Sequence, residues 1–295
     1  MSPYSITGRA GELLARHRQR SHRLQGVTMA STISKDGTVI GYERTGSGPA
    51  VILVDGALCY RGSGPARPLA DALAGHFTVY TYDRRGRGES GNTLPYAVER
   101  EVEDLAAVLE AAGGTAHVYG ISSGAALALE AAQVLPGFVT LALYEFPLAV
   151  DSNGPVRPDD YIRTMDALVA TGRRGKVLKM FMRTVGVPSP VLMVMQLLPV
   201  WSKLKAVAHT LPYDMRVLGD TGSGRPLSKD RWTSATLPTL VMDGGKSPQS
   251  MRDGMHQLAD VLPDTDYRTL PGQTHMLKPG AVAPVLTEFF QSHQR

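Results

Sequence analysis

The chain has 295 residues, of which 43% are hydrophobic and 20% charged, and its formal net charge is +4. This composition is ordinary for a globular protein, and no apolar run approaches the roughly 18 residues of a membrane-spanning helix. The surplus charge lies in residues 1–28, which contain five arginines and one glutamate, so residues 29–295 are neutral overall. That neutrality argues against a nucleic-acid-binding face on the globular part of the chain.

Residues 1–28 are rich in arginine and contain no continuous apolar stretch, so we interpret them as a basic, disordered extension and not as a secretory signal. An arginine-rich transit peptide is the alternative that this composition allows. The single cysteine, Cys59, excludes an internal disulfide and a multi-cysteine metal site. We expect a cytoplasmic protein that needs no metal or organic cofactor.

Elements alternate along the first half of the chain from about residue 30. Short apolar runs closed by Gly, Pro or Asp are typical of buried strands, and apolar residues spaced three and four apart are typical of helices. In chain order the pattern predicts strands at 38–44, 50–54 and 77–82, a helix at 97–112, a strand at 116–121, a helix at 124–135 and a strand at 139–144.

The alternation stops between residues 147 and 235, where four helical patterns occur without clear strands (161–170, 176–185, 191–198 and 203–209). Because alternating strands and helices form a parallel sheet covered on both faces, this block is best explained as a helical cap inserted over the carboxyl edge of that sheet. The core is then 29–146 together with 236–295, where strands at 238–242 and 267–270 alternate with helices at 251–262 and 282–291.

A candidate nucleophile stands between a predicted strand and a predicted helix. The segment Gly120-Ile121-Ser122-Ser123-Gly124 has the pattern G-x-S-x-G, in which a tight turn exposes the serine hydroxyl and the following N–H faces a developing oxyanion. The glycines are needed because side chains there would collide with the neighbouring strand and helix. The alternative is a plain glycine turn with exposed serines.

From these residues, the chain resembles the α/β-hydrolases over residues 30–293. The segment from Asp83 to Ser90 is similar to the D-x-R-G-x-G-x-S turn of that family. The resemblance implies a mostly parallel eight-stranded sheet with helices on both faces and a helical cap. Gly86-x-Gly88-x-x-Gly91 also matches a dinucleotide fingerprint, but no helix begins at these glycines to hold a pyrophosphate.

The resemblance places the catalytic histidine last in the chain. Gly272-Gln273-Thr274-His275 follows the last predicted strand and is similar to the G-x-x-H of the family, and His275 is the one histidine of the eight in that position. A serine needs such a general base, and the base needs an orienting acid.

The acid departs from the common family pattern, because Gly244-Gly245-Lys246-Ser247 has a serine where an aspartate is expected. Two candidates remain, Asp243 at the end of its strand and Glu145 at the end of the preceding one. Zearalenone-type lactone hydrolases carry the acid in an E-x-P context similar to Glu145-Phe146-Pro147, and they share a similar serine turn and a P-V-W segment like Pro199-Val200-Trp201. We favour Glu145 and keep Asp243 as the alternative.

The second oxyanion donor is expected after the strand at 50–54, at the N–H of Gly56 or Ala57, beside the N–H of Ser123. This chain has Asp55 where the family often has histidine. Cys59 lies close by without a partnering motif, and we interpret it as structural.

These residues predict a serine hydrolase that cleaves an ester or lactone of a hydrophobic small molecule through an acyl-enzyme on Ser122. Apolar cap residues support such a substrate, with Trp201 and Met182 expected to line the pocket. A carbon–carbon bond hydrolase acting on a diketone would use the same three groups, and a non-catalytic small-molecule receptor would use the same fold. The expected partner is the small molecule alone, with no nucleic acid and no membrane span.

Overall fold

The computed structural model describes residues 23–24, 27–150 and 156–293. Nine strands form one sheet: β1 (Arg23–Leu24), β2 (Val27–Ile33), β3 (Val39–Gly46), β4 (Ala50–Val54), β5 (Thr78–Tyr82), β6 (Ala116–Ile121), β7 (Phe138–Tyr144), β8 (Thr239–Gly244) and β9 (Thr265–Leu270). Their order in space is β1-β2-β3-β5-β4-β6-β7-β8-β9. The pairs among β1, β2, β3 and β5 are antiparallel, and every other pair is parallel.

Helices connect the parallel strands, and a block of helices interrupts the sheet between β7 and β8. The connecting helices are α1 (Ala66–Leu73), α2 (Val98–Ala111), α3 (Ser123–Ala132) and α9 (Gln249–Val261), and α10 (Pro279–Ser292) follows the last strand. The block in the predicted cap consists of α4 (Tyr161–Ala170), α5 (Arg174–Thr184), α6 (Ser189–Met195), α7 (Pro199–Val207), a 3-10 turn (Ala208–Thr210) and α8 (Leu211–Leu218).

Side-chain alternation along the central strands builds a core on each face of the sheet. Ile52 and Val54 of β4 pack on the face covered by α2, α3 and α9, whereas Val51 and Leu53 pack on the face covered by α1 and α10. Because both faces are buried, these strands appear in the sequence as continuous apolar runs.

The mostly parallel sheet with helices on both faces is as predicted, and β1 adds a two-residue strand at the antiparallel edge. The sheet begins inside the predicted extension, since Arg23 pairs with Thr28. Residues 1–22 and 25–26 of that extension lie outside the described residues. Helices α1 and α8, both eight residues long, were not predicted from the sequence.

Candidate active site

The candidate catalytic residues meet at the carboxyl edge of the parallel strands. Ser122 follows β6, Glu145 follows β7, His275 follows β9, and Gly56 follows β4. In open α/β sheets this edge is where ligands bind. The topology therefore brings together residues that are far apart in the sequence.

Ser122 lies on a strained turn between β6 and α3. Its φ of 58° falls in the left-handed region that costs a residue with a side chain about 1–3 kcal/mol. The flanking glycines permit the turn, because a Cβ on Gly124 would lie 2.1 Å from the carbonyl oxygen of Val54 and one on Gly120 would lie 2.6 Å from that of Gly124. The predicted G-x-S-x-G geometry is thus present, with strand before and helix after.

The structure joins His275 to Glu145. The Nδ1 atom of His275 lies 2.8 Å from Oε2 of Glu145, and the glutamate is fully buried whereas the imidazole is partly exposed. With Nδ1 held as the donor to a carboxylate, Nε2 is the nitrogen left to accept a proton. This is the arrangement that a general base needs.

Asp243, the alternative acid, is held by other groups. It lies within β8, and its Oδ2 accepts hydrogen bonds from Tyr267 Oη at 2.7 Å and from Arg252 Nε at 3.1 Å. Its carboxylate therefore orients a tyrosine and an arginine and not His275.

The other oxygen of Glu145 is fixed by the loop after β8. Its Oε1 accepts the backbone N–H of Gly244 at 2.8 Å and a short hydrogen bond from the hydroxyl of Ser247. Ser247 is the residue found where the family pattern has an aspartate. In this chain that turn therefore supplies a hydroxyl that donates a hydrogen bond to Glu145. The sequence showed this serine as a departure, but its hydrogen bond to Glu145 became visible only in the fold.

Backbone strain is concentrated around the same residues. Among the residues that the structure describes, the non-glycine positions with positive φ are Leu58 at 64°, Ser122 at 58° and Glu145 at 45°. Such conformations persist where the surroundings enforce them, and they cluster at functional sites. Leu58 belongs to the loop that contains Gly56 and Ala57, so all three strained positions surround one site.

That loop approaches the serine closely. A Cβ on Gly56 would lie 2.9 Å from Cβ of Ser122. Within the described chain, the backbone N–H groups of Ala57 and Ser123 donate no hydrogen bond to another backbone group. The carbonyl of Gly56 accepts a hydrogen bond from Arg87 Nη1 at 2.7 Å, which fixes the orientation of the peptide that carries the Ala57 N–H. The predicted oxyanion donors, the N–H groups of Ala57 and Ser123, thus lie next to Ser122 without a described backbone acceptor.

A buried carboxylate of the predicted cap contacts residues on both sides of the predicted oxyanion site. Asp214, on α8, accepts hydrogen bonds from Ser123 Oγ at 2.7 Å, Arg84 Nη1 at 2.8 Å and Arg87 Nη2 at 2.7 Å. Burial alone would raise the pKa of Asp214, but the two guanidinium groups and the Ser123 hydroxyl outweigh it and hold the pKa below its usual value. Sequence reasoning missed Asp214, because α8 was not predicted and 91 residues separate it from Ser123.

Asp55, at the position often occupied by histidine, has a raised pKa, in contrast to Asp214. Its carboxylate is 4% exposed and makes no hydrogen bond to any described residue. Burial raises its pKa to about 7, although Arg87 and Arg84 act in the other direction. Nearby Cys59 is largely buried, which raises the pKa of its thiol to about 12 and supports the structural interpretation.

The predicted pocket residues Trp201 and Met182 are both buried within the core cluster that spans the cap and one sheet face. Other apolar cap residues point elsewhere, since Met193 and Leu197 are largely exposed. Ser122 and His275 are both described, and Ser122 Oγ makes no hydrogen bond to the His275 ring in this conformation. Catalytic hydrogen bonds are often long before substrate binds. In the described parts of the chain, no group of three or more His, Cys, Asp or Glu side chains is placed to hold a metal ion.

Comparison with known proteins agrees with this fold. The model of the alpha/beta hydrolase family matches residues 46–285. The chain belongs to the alpha/beta hydrolase family. An alpha/beta hydrolase from Sphaerobacter thermophilus DSM 20745 has a solved structure that is 52% identical to the chain, covers 88% of it and 99% of its own length, and superposes with a TM-score of 0.81.

Two curated relatives of this alpha/beta hydrolase match it locally. An uncharacterized hydrolase, YraK, of Bacillus subtilis (strain 168) is 38% identical over 106 residues, which cover 34% of the chain and 37% of the relative. A pimeloyl-[acyl-carrier protein] methyl ester esterase of Xylella fastidiosa (strain 9a5c) is 38% identical over 104 residues, which cover 34% of the chain and 38% of the relative. The matches thus span less than two fifths of either curated relative, and they include an esterase.

Proposed function

We propose that this alpha/beta hydrolase is a serine hydrolase that cleaves a carboxylic ester or lactone of a hydrophobic small molecule. The observation that carries the proposal is the 2.8 Å contact between His275 Nδ1 and Glu145 Oε2 at the edge where Ser122 lies on its strained turn. A nucleophile, a base and an acid in this order of contact form the constellation that activates a serine hydroxyl.

Acylation follows from the positions of these groups. Ser122 Oγ attacks the acyl carbon while His275 Nε2 takes its proton, and the carbonyl oxygen becomes an oxyanion held by the N–H groups of Ser123 and of Gly56 or Ala57. Glu145 keeps the imidazole in the required tautomer and stabilises the imidazolium. His275 then gives the proton to the departing alkoxide.

Deacylation repeats the sequence with water as the nucleophile. His275 takes a proton from water, the hydroxide attacks the acyl carbon, and Ser122 leaves with the proton returned by the imidazolium. For a lactone the departing alkoxide stays attached to the acyl group, so the acyl-enzyme is the ring-opened hydroxy acid. Both substrates require the same three residues.

The substrate class is argued from the cap and from one relative. The predicted cap contributes buried apolar side chains, Trp201 and Met182 among them, to one core cluster, and we propose that a hydrophobic ligand binds against them. The name of the Xylella relative describes a methyl ester esterase, which favours an ester. The sequence resemblance to zearalenone-type hydrolases favours a lactone, so both remain within the proposal.

We also propose the cytoplasm as the location of this protein, because a chain with a single cysteine forms no internal disulfide and fits a reducing compartment.

The test of catalysis is covalent labelling by a fluorophosphonate probe, read by peptide mass spectrometry. We expect one adduct, on Ser122, and none in Ser122→Ala. The Ser123→Ala variant is the matched control, since it removes a neighbouring hydroxyl but keeps the nucleophile. Failure of the wild-type protein to label at Ser122 would favour the non-catalytic receptor and overturn the proposal.

The test of substrate class is a panel of esters, lactones and diketones read by product mass. We expect ester or lactone hydrolysis that disappears in Ser122→Ala. Turnover of the diketones alone, with labelling at Ser122 intact, would reassign the protein as a carbon–carbon bond hydrolase.

A further inference from the structure

Large apolar side chains are exposed in one part of the cap. Of the thirteen that the structure describes as exposed, seven lie within residues 185–200, with exposures between 41% and 86%. We name this segment the cap tip; the seven are Val185, Val191, Met193, Val194, Leu197, Leu198 and Val200. Scattered exposed apolar residues are normal, but seven exposed apolar side chains within one short segment indicate a surface that contacts something apolar.

The cap tip lies near the centre of a stretch of sequence whose charged residues are all positive. Residues 167–213 contain seven lysines and arginines and no aspartate or glutamate. The cations are Arg173, Arg174, Lys176, Lys179, Arg183, Lys203 and Lys205. None of these seven side chains forms an ion pair with an acidic group that the structure describes. The arginines of the Asp83–Ser90 turn, in contrast, form ion pairs in the interior. Overall neutrality of residues 29–295 therefore hides a strongly positive part of the cap.

Charged and exposed apolar residues lie close together along the chain in this part of the cap. Arg183 precedes Val185 by two positions at the end of α5, and Val200 and Lys203 lie one turn apart on one face of α7. Helix α6, between them, has Leu192 as its one buried side chain. An exposed apolar helix flanked by cations is the pattern of a segment that lies in the interface of a membrane.

No single described helix is long and apolar enough to cross a membrane. The segments Ser189–Met195 and Pro199–Leu218 reach that length and apolar composition only when they are counted together, and they meet at an angle of 97°. The second half of that pair contains Asp214, whose carboxylate is bonded to Arg84 and Arg87 in the interior. The apolar segment is thus tied to the core at one end and exposed at the other.

We propose that the cap tip docks on the surface of an anionic lipid bilayer. The seven apolar side chains enter the boundary between headgroups and acyl chains, and the flanking lysines and arginines contact the lipid phosphates. A second copy of the chain fits the patch poorly, because two such surfaces would bring fourteen positive charges together without a described acid between them. The inference does not depend on the proposed hydrolysis.

The experiment is flotation of the full-length protein with lipid vesicles. Vesicles of phosphatidylcholine alone are compared with vesicles containing one fifth phosphatidylglycerol, at low and at high salt. We expect binding to the anionic vesicles that weakens as salt rises, since the charges are exposed. Binding that is equally strong on neutral vesicles, or absent from both, overturns the proposal, and the second result would leave an acidic protein as the partner.

Two double variants test the two components separately. Lys203→Glu/Lys205→Glu should lower the binding constant at least about tenfold, because each lysine or arginine near an anionic surface contributes roughly a fivefold factor. Val194→Ser/Leu197→Ser should also lower it about tenfold through lost apolar burial. The matched controls, Lys35→Glu/Lys229→Glu and Ile33→Ser/Val134→Ser, make the same changes at exposed positions outside residues 167–213 and should bind as the wild type does.

Thermal unfolding shows that each variant is folded, and size-exclusion chromatography with light scattering shows its oligomeric state. Undiminished vesicle binding in both cap-tip variants would assign the binding to the arginine-rich residues 1–28 and contradict the proposal. A wild-type dimer that Val194→Ser/Leu197→Ser dissociates, without vesicle binding, would show that the cap tip is an interface between copies.

Discussion

Two buried carboxylates end neighbouring strands of the sheet, and they hold different partners. Glu145 follows β7 and Asp243 lies in β8, and both are fully buried. Glu145 accepts from His275, Gly244 and Ser247, whereas Asp243 accepts from Arg252 and Tyr267. Burial and position at the sheet edge are thus shared, and only the groups around each carboxylate differ.

The difference comes from the backbone. Asp243 is still in a regular strand, where alternation puts it on the same face as Val241, against α9 and its Arg252. Glu145 stands just past the end of β7, in a left-handed conformation with φ of 45°, and there its side chain meets the loop that carries His275. A strained backbone at one position, and not the chemical class of the side chain, separates the carboxylate that contacts His275 from the one that does not.

The largest effect is expected for Glu145→Gln. The amide keeps the size of the side chain but removes the charge that stabilises imidazolium, so kcat/KM for a reactive ester should fall at least about a thousandfold. The measurement is steady-state kinetics, with circular dichroism to confirm folding. Activity within tenfold of wild type would remove Glu145 from the catalytic set.

A smaller effect is expected for Ser247→Ala. This change removes one hydrogen bond to Glu145 Oε1 and leaves the Gly244 N–H in place. A hydrogen bond to a charged group contributes about 1.5–3 kcal/mol, so kcat should fall roughly tenfold or more while KM changes little. The Ser292→Ala variant, in which a helix-end hydroxyl is lost far from the site, is the control. Unchanged kcat would show that Ser247 does not position the acid.

Asp243→Asn is expected to leave turnover within about threefold of wild type. It should instead lower the free energy of unfolding by about 1–3 kcal/mol, because Arg252 and Tyr267 lose a charged acceptor in the interior. Urea unfolding and ester kinetics on the same sample separate the two effects. A collapse of kcat in a fully folded Asp243→Asn protein would reverse the assignment of the acid.

A third strand-end carboxylate, Asp55 after β4, sharpens the contrast because no described residue hydrogen-bonds to it. Its pKa is raised to about 7 from 3.8, so the folded state keeps a proton that the unfolded state has released. Stability should therefore fall as pH rises from about 4 to about 7, by at most about 4 kcal/mol in all.

Urea unfolding of wild type and Asp55→Asn at pH 5 and pH 8 measures this. We expect the variant to lose less stability than the wild type between the two values, since asparagine does not titrate. Parallel pH dependence in the two proteins would show that Asp55 is charged in the folded state.

Local signals in the sequence were sufficient to predict strands β3 to β9, but not β1 and β2, and to single out Ser122 and His275 as candidates. A G-x-S-x-G turn between a strand and a helix can be recognised within a few residues, and His275 follows from chain order. Glu145 could be favoured because Ser247 stands where an aspartate is expected. The sequence alone could not show that Ser247 hydrogen-bonds to Glu145, or that Asp214 reaches Ser123, because these contacts depend on how distant segments pack.

Nor could the average charge of residues 29–295 predict the cap tip. Neutrality is a sum over the chain, and the acidic groups that balance it are outside residues 167–213. Exposure of Leu197 and Met193 was also hidden, because the same apolar residues in a buried helix would have produced the same sequence pattern.

The rate of fluorophosphonate labelling tests the catalytic assignment most directly, because it reports the reactivity of Ser122 without any knowledge of the substrate. It should be measured in the wild type, Glu145→Gln and Asp243→Asn under identical conditions. We predict labelling at Ser122 that is close to the wild-type rate in Asp243→Asn and slower by at least about a hundredfold in Glu145→Gln. Fast labelling in Glu145→Gln together with slow labelling in folded Asp243→Asn would contradict the assignment of Glu145 as the acid.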